Sequence, residues 1–336
     1  MSKKEVLILG AGFSRAVAGK SMPLLHELTK DINKKIICGD QEIRHIWQKY
    51  IVGPNIGNIK SVDTNTNNSN FEDIMTFLSS NFAYEDYKDE HLKAILYRYI
   101  TDLIVEIFEK KNLEKELLHE PYVRNFCQYL HSERPDVFTF NYDLVLENLL
   151  YQNIPGASNV FDPMYSIKKM DLITSPFSSY EEEFWCNSLK IYKLHGSINW
   201  LYDPKFPNGI RITTTKTIPG YKQGLQTLLV PPSMLKNFVF NTKLLDFQWQ
   251  MFRKKLNEIT RLYVIGYSIP TTDVATRYAF QTQLNSKCRI FIITQDKSKT
   301  KQHEWEELFA IQNARNQLHI IDTGFNKESL EKIRII

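Results

Sequence analysis

Cysteine is sparse: the 336 residues hold four, Cys38, Cys127, Cys186 and Cys288, with no C-x-x-C pair among them. That spacing argues against a zinc ribbon and against a dense disulfide framework. Thiols so scattered are expected to be reduced, in a cytoplasmic setting. Net charge is also scarce, since 42 Lys and Arg against 38 Asp and Glu leave +4. The bases are mixed with acids, as in KKNLEKELLHE (110–120), rather than gathered into a stripe, so nucleic-acid binding is not indicated. No uncharged apolar run approaches the ~18 residues of a membrane helix. The apolar stretch of MSKKEVLILGAG breaks at Gly10, too early for a signal segment. The common hydrolase, P-loop and zincin signatures, G-x-S-x-G, G-x-x-x-x-G-K-[ST] and H-E-x-x-H, are absent. The eight histidines show no ligand spacing, and no metal is implied.

What is present is the patterning of an ordinary globular chain, 43% hydrophobic and 24% charged. EVLILG (5–10) reads as a parallel-sheet strand, short, continuously apolar and ended by glycine. Further strands are expected at PDVFTF (135–140), LKIYKLHG (189–196), QTLLVPP (226–232), RLYVIG (261–266), CRIFIIT (288–294) and LHIID (318–322). Helical text follows several of them, as in NYDLVLENLLYQ, TTDVATRYAFQTQL and KESLEKIRI. Strand-then-helix repetition predicts an α/β fold around a Rossmann-like parallel sheet. The first strand is separated from the rest by helical patterning. FEDIMTFLSSNF (71–82) is expected to be one helix, and a second places Leu92, Leu96, Ile100, Leu103 and Ile107 on one face. The expected division is an α/β domain of 1–24 and 131–336 with a helical insertion at 25–130. GPNIGNIKSVDTNTNNSN (53–70) is expected as an exposed loop.

Four strand ends carry candidate chemistry, and each has a plain structural reading beside it. In LILGAGFSR (7–15), Gly10-Ala11-Gly12 permits a tight turn and close approach of backbone N–H groups to a phosphate at a helix N-terminus. The third glycine of a dinucleotide loop should stand at 15, where the chain has Arg15, and no acid closes a second strand about 20 residues on. An ordinary dehydrogenase loop is therefore a poor reading, and a strand-to-helix turn with nothing bound stays open. FTFNYD places Asn141 and Asp143 where they could reach a bound nucleotide, although both types are also common caps and turn formers. YKLHGSINW ends a strand on His195 and Gly196; a lone histidine there is more often structural, yet it is the side chain most readily poised as a base. VIGYSIPTTD offers Gly266 and Ser268 in a turn whose hydroxyl suits a phosphate or ribose.

Taken in order, GAGFS, TFNYD, HGSINW and GYSIP resemble the sirtuin superfamily, whose loop ends in serine and expects no third glycine at position 15. The text departs from the deacylases of that superfamily. RAVAGKSMPLL follows the loop in place of their Pro-Asp-Phe-Arg run, Phe140 stands where they have glutamine, and residues 197–265 lack the cysteines that hold their structural zinc. The departures resemble the sirtuin-like effectors of bacterial antiphage defence, the Thoeris NADase and the partner of HerA-type ATPases among them. The resemblance implies a zinc-less sirtuin-type sheet and an NAD glycohydrolase releasing nicotinamide and ADP-ribose. An NAD-dependent deacylase and a non-catalytic NAD or ADP-ribose sensor are the alternatives. It also implies roles: Gly10, Ala11, Gly12, Phe13 and Ser14 on the pyrophosphate, Gly266 and Ser268 toward the adenosine. Asn141 would hold the ribose or a water, Asp143 the carboxamide, and His195 would act as base. Thr294 and Gln295 would be the substitutes on the adenosine side, and TGF (323–325) would lie near the adenine. NAD is then the substrate, with no metal. Control by homo-oligomerisation or by a partner such as a HerA-type ATPase is implied as well.

Overall fold

Short apolar runs that end in glycine, or in Asn and Asp, produce strands buried on both faces with their functional residues at the carboxyl ends. The computed structural model describes residues 4–56, 71–80, 82–109, 120–154, 189–202, 210–212, 225–230, 243–270 and 273–335. In chain order the strands are β1 (Glu5–Leu9), β2 (Asp136–Thr139), β3 (Lys190–Lys193), β4 (Gly196–Tyr202), β5 (Ile210–Ile212), β6 (Gln226–Leu229), β7 (Arg261–Ile265), β8 (Arg289–Ile293) and β9 (Leu318–Ile321). The helices are α1 (Ala11–Ala18), α2 (Leu25–Cys38), α3 (Gln41–Trp47), α4 (Phe71–Ser79), α5 (Tyr87–Glu109), α6 (Pro121–Glu133), α7 (Val145–Asn153), α8 (Lys243–Glu258), α9 (Val274–Gln283), α10 (Lys299–Leu308), α11 (Ala310–Ala314) and α12 (Lys327–Lys332).

Six strands form one sheet in the order β3-β2-β1-β7-β8-β9, with each neighbouring pair parallel. Numbered within the sheet, this is the doubly wound order 3-2-1-4-5-6, so the expected Rossmann-like parallel α/β architecture is what the chain adopts. Leu9 lies level with Thr139 on one side and Ile265 on the other, which brings the ends of β1, β2 and β7 to one height. The winding reverses between β1 and β7, and such switch points open a crevice outside the strand carboxyl ends. Val6, Leu7, Ile8 and Leu9 are all buried, each side chain contributing about 1.5–3 kcal/mol of hydrophobic stabilisation. Stacked rings add to the strand pairing, Phe138 on Tyr192 at 4.6 Å and Tyr263 on Phe291 at 5.3 Å.

The chain divides into two compact units. One comprises residues 1–22, 113–196 and 242–336 and contains the parallel sheet; the other comprises 23–112 and 197–241. The helical stretch anticipated at 25–130 thus runs in the second unit as far as 112, while α6 belongs to the first. In the second unit α5 buries Leu96, Ile100, Leu103 and Ile107, as the periodicity predicts, with Leu92 partly exposed. QTLLVPP does form a strand but not one of the parallel sheet: β6 belongs to a three-stranded sheet of order β5-β4-β6, in which β4 and β5 are antiparallel. A short, mostly apolar run carries no directional information, so its pairing partner decides the sheet it joins. Residues 57–70 of the anticipated loop lie outside the described residues.

Candidate functional site at the carboxyl ends of the parallel strands

Two loops meet across the switch point. The Gly10 N–H donates to the Ile265 carbonyl at 3.0 Å and the Gly12 N–H to the Gly266 carbonyl at 2.8 Å. A Cβ on Gly10 would stand 2.5 Å from the Gly266 oxygen and from Tyr267 Cα, and one on Gly12 would stand 2.9 Å from Gly266 Cα. Gly266 adopts φ +63°, a region that favours glycine. The glycines of both motifs are therefore accounted for by backbone meeting backbone. Ala11 is exposed at the crest of the turn, at the first position of α1, where helix N–H groups present partial positive charge. Phe13 turns its ring into the core, 5.8 Å from Phe126 and 5.0 Å from Phe325, so only its backbone can face a ligand. Arg15, in place of a third glycine, donates to the Met22 carbonyl at 3.3 Å.

Ser14, Asn141 and Asp143 form one hydrogen-bonded network. Asn141 Nδ2 donates to the Gly10 carbonyl and to Ser14 Oγ, each at 2.9 Å. Ser14 Oγ donates onward to Asp143 Oδ1 at 3.0 Å, and the Val145 N–H donates to the same oxygen at 3.0 Å. Thr139 sets the start of this turn: its Oγ1 donates to the Leu9 carbonyl at 3.0 Å and accepts from the Asn141 N–H at 3.1 Å. Burial raises the Asp143 carboxyl above the usual Asp range; the charge of Lys193 and the bonds from Val145 and Ser14 oppose that rise, and Glu147 adds to it.

His195 stands beside this network. It follows β3, whose pairing is extended by the Leu194 N–H donating to the Thr139 carbonyl at 3.0 Å. The indole of Trp249 on α8 donates to the Leu194 carbonyl at 3.0 Å, and Gly196 turns the chain with φ +76°. The imidazole is only 8% exposed, edge-on to Phe140 at 5.0 Å and 6.3 Å from the Tyr142 ring. Phe140 is in turn stacked on Tyr267 at 4.2 Å. Phe140 is thus the ring that lies between His195 and Tyr267 of the β7 loop.

Ser268 is exposed on the far limb of the β7 loop, outside the network. Ile269 next to it is fully buried at φ +49°, a strained setting for a β-branched residue. Tyr267 hydrogen-bonds Asp273, which caps α9 by accepting from the Thr276 N–H. Thr294 and Gln295 follow β8, where the Thr294 N–H donates to the Ile321 carbonyl at 3.0 Å and the Gly324 N–H to the Thr294 carbonyl at 2.7 Å. Phe325 is buried against Phe13 and Phe126, so its ring is part of the core. Thr139, Lys193, Glu147, Tyr267 and Trp249 shape the site without having been singled out in the sequence. Thr139 was the one with a visible signal, a hydroxyl two residues before Asn141. Among the described residues no group of three or more His, Cys, Asp or Glu side chains is placed to hold a metal.

The set offers an ordered carboxylate, an amide whose Nδ2 protons are both engaged, and a shielded imidazole. They surround strand ends at a switch point, an arrangement able to orient a polar ligand and move one proton. No family model matches the sequence, and no curated protein does. Among solved structures the chain is similar to a Sir2 homologue in complex with NAD, at 10% identity and a TM-score of 0.46, over 98% of this chain and 88% of that one. It is similar also to a substituted Sir2 homologue in complex with ADP-ribose, at 11% identity and a TM-score of 0.39, over 93% of each chain.

Proposed function

We propose that this chain is an NAD glycohydrolase, releasing nicotinamide and ADP-ribose. The observation that carries the reading is the Ser14–Asn141–Asp143 network beside His195 at the carboxyl ends of β1, β2 and β3. NAD as the substrate follows from the four ordered motifs that hold these residues. The reaction breaks the bond between ribose C1′ and the nicotinamide nitrogen, whose electron pair leaves with the neutral base. Water then adds to C1′ and gives up a proton.

Each residue has a part that its surroundings suit. With Nδ2 engaged by Gly10 and Ser14, Asn141 has Oδ1 as the acceptor for a ribose hydroxyl or the attacking water. Asp143 has Oδ1 engaged, and Oδ2 is its acceptor for the carboxamide N–H. His195 takes the proton from water or a ribose hydroxyl, a contribution of about 10²–10⁴ for one positioned base. Holding the dinucleotide along the α1 N-terminus and the β7 loop supplies orientation. Use in antiphage NAD depletion, and restraint by self-assembly or by a partner such as a HerA-type ATPase, belong to the same proposal.

The test is incubation of the purified protein with NAD at low and high protein concentration, with chromatography of the products. Nicotinamide and free ADP-ribose are expected, and both are lost in His195→Ala and Asn141→Ala at unchanged folding. O-acyl-ADP-ribose, formed only with an acylated peptide, would identify a deacylase instead. Near-parent cleavage in both variants overturns the site assignment.

A further inference from the structure

The end of β3 carries a charge that the proposed chemistry does not use. Lys193, two residues before His195, is buried, as is Glu147 on α7, and their Nζ and Oε1 atoms lie 3.0 Å apart. Two ions removed from water lose about as much hydration free energy as their attraction returns, and apolar residues of similar volume often serve stability equally well. A pair of this kind is therefore a poor stabilising device, which raises the question of what else it holds. The same Nζ donates to the backbone carbonyl of Asp143. That places one ammonium between the turn at the end of β2, the helix that follows this turn, and the strand that leads into His195. The side-chain hydrogen bonds of Asn141 and Asp143 run the other way, to Ser14 and Gly10 at the end of β1.

We propose that Lys193 is a positioning residue: with Glu147 it ties the Asn141–Asp143 turn to the end of β3, so that the Ser14 network and His195 keep one relative geometry. The proposal rests on the glycohydrolase reading for its effect on turnover, and on the hydrogen bonds alone for its effect on the turn. Lys193 touches no reacting atom in this scheme. Its loss acts through displacement of Asp143 and Asn141, and a displacement of about 1 Å is worth on the order of 10²-fold in rate.

The experiment replaces both ions, Lys193→Met with Glu147→Leu, so that neither is left buried alone. Three quantities are measured: the melting temperature, amide hydrogen exchange at Asn141 and Val145, and kcat and KM for NAD. Those two amides are the ones bonded within the turn, to Thr139 Oγ1 and Asp143 Oδ1. The expected result is a melting temperature at or above the parent's, exchange at both amides faster by about tenfold or more relative to β1, and kcat lower by about 10²-fold. A purely structural pair would leave exchange and kcat at parent values once stability is restored, and that outcome overturns the proposal. So does faster exchange with parent-like kcat. Exchange needs no turnover: where the parent protein leaves NAD intact, the amide rates alone decide whether Lys193 holds the turn, so failure of the glycohydrolase reading and failure of this proposal are told apart. Should the double variant fail to fold, Glu147→Gln keeps an acceptor for Nζ but removes its counter-charge. The same acceleration at Asn141 and Val145 is expected there, and parent-like exchange overturns the proposal.

Discussion

Replacing Gly10 with alanine separates the two reasons a glycine can stand in this loop. If it is there to admit a phosphate, Gly10→Ala lowers ligand affinity and leaves the free protein as stable as before. The loop geometry demands more. The added Cβ would sit 2.5 Å from the Gly266 carbonyl oxygen and Tyr267 Cα, against 3.4–4 Å for ordinary contact, and both obstacles are backbone. The β1 and β7 loops must part by about 1 Å, and overpacking of this kind costs about 1–3 kcal/mol. Parting also breaks the 3.0 Å and 2.8 Å hydrogen bonds that Gly10 and Gly12 donate across the switch point, each worth about 0.5–1.5 kcal/mol net. A loss of about 2–6 kcal/mol is expected in the absence of any ligand. Denaturant unfolding of the purified variant measures it, as an earlier midpoint at unchanged slope. A midpoint equal to the parent's, with only ADP-ribose binding weakened, would refute the packing account and restore the phosphate one.

Other substitutions probe other contacts. Ser14→Ala removes the hydroxyl that joins Asn141 to Asp143; a stability loss of about 1–3 kcal/mol is expected, together with weaker ADP-ribose binding by titration calorimetry, and parent-like values of both would dissolve the network. Phe325→Ala empties a ring packed on Phe13 at 5.0 Å and Phe126 at 5.1 Å; it should cost about 3–5 kcal/mol in unfolding experiments, whereas an affinity loss at constant stability would return this ring to the adenine. Burial raises the Asp102 carboxyl to about 6, against an ordinary value of 3.8, with Arg98 opposing the rise. Between those values the folded chain holds a proton that the unfolded chain has released, so the contribution of this group is complete below about pH 4 and lost as pH climbs through 6. The full shift corresponds to about 3 kcal/mol, which solvent screening of a partly exposed group reduces to about 1 kcal/mol. Asp102→Asn should therefore match the parent at pH 4 and exceed it by that amount at pH 7; equal stabilities at both pH values would remove Asp102 as a source of pH dependence.

Much of the parallel sheet was legible because its strands end where their chemistry begins. EVLIL, DVFT, KIYK and RLYVI each stop within two residues of a glycine, an asparagine or a histidine, and the doubly wound order then brings the ends of the first, second and fourth sheet strands level. What could not be read was where pairing crosses between sheets. β4 starts at Gly196, only two residues after β3 ends at Lys193, and Gly196 itself takes φ +76° at the turn. QTLL pairs with β4 and so joins the smaller sheet, and nothing in four apolar-leaning residues could say so. Lys193 was equally invisible. A lysine in strand text reads as a solvent-facing position, and its burial follows only from a glutamate 46 residues earlier in the chain arriving on α7.

The residues that the motifs offered to a ligand turn out to be engaged chiefly with one another. Gly10 and Gly12 donate to the β7 loop, Asn141 donates to Gly10 and Ser14, and Ser14 donates to Asp143. Were these contacts the sole purpose of the motifs, a simpler turn would serve, since helix caps and tight turns need neither a buried carboxylate nor a buried ion pair behind it. A buried carboxylate with one oxygen engaged by two donors, braced through its own backbone by Lys193, has the character of a site whose geometry is set before the ligand arrives. Preorganised polar groups do most for catalysis when they need no rearrangement as charge develops. Under the proposed function, Asn141 Oδ1, Asp143 Oδ2 and the shielded imidazole of His195 would be the groups that such a framework holds for the substrate, and a change at Lys193 or Glu147 should disturb all three together.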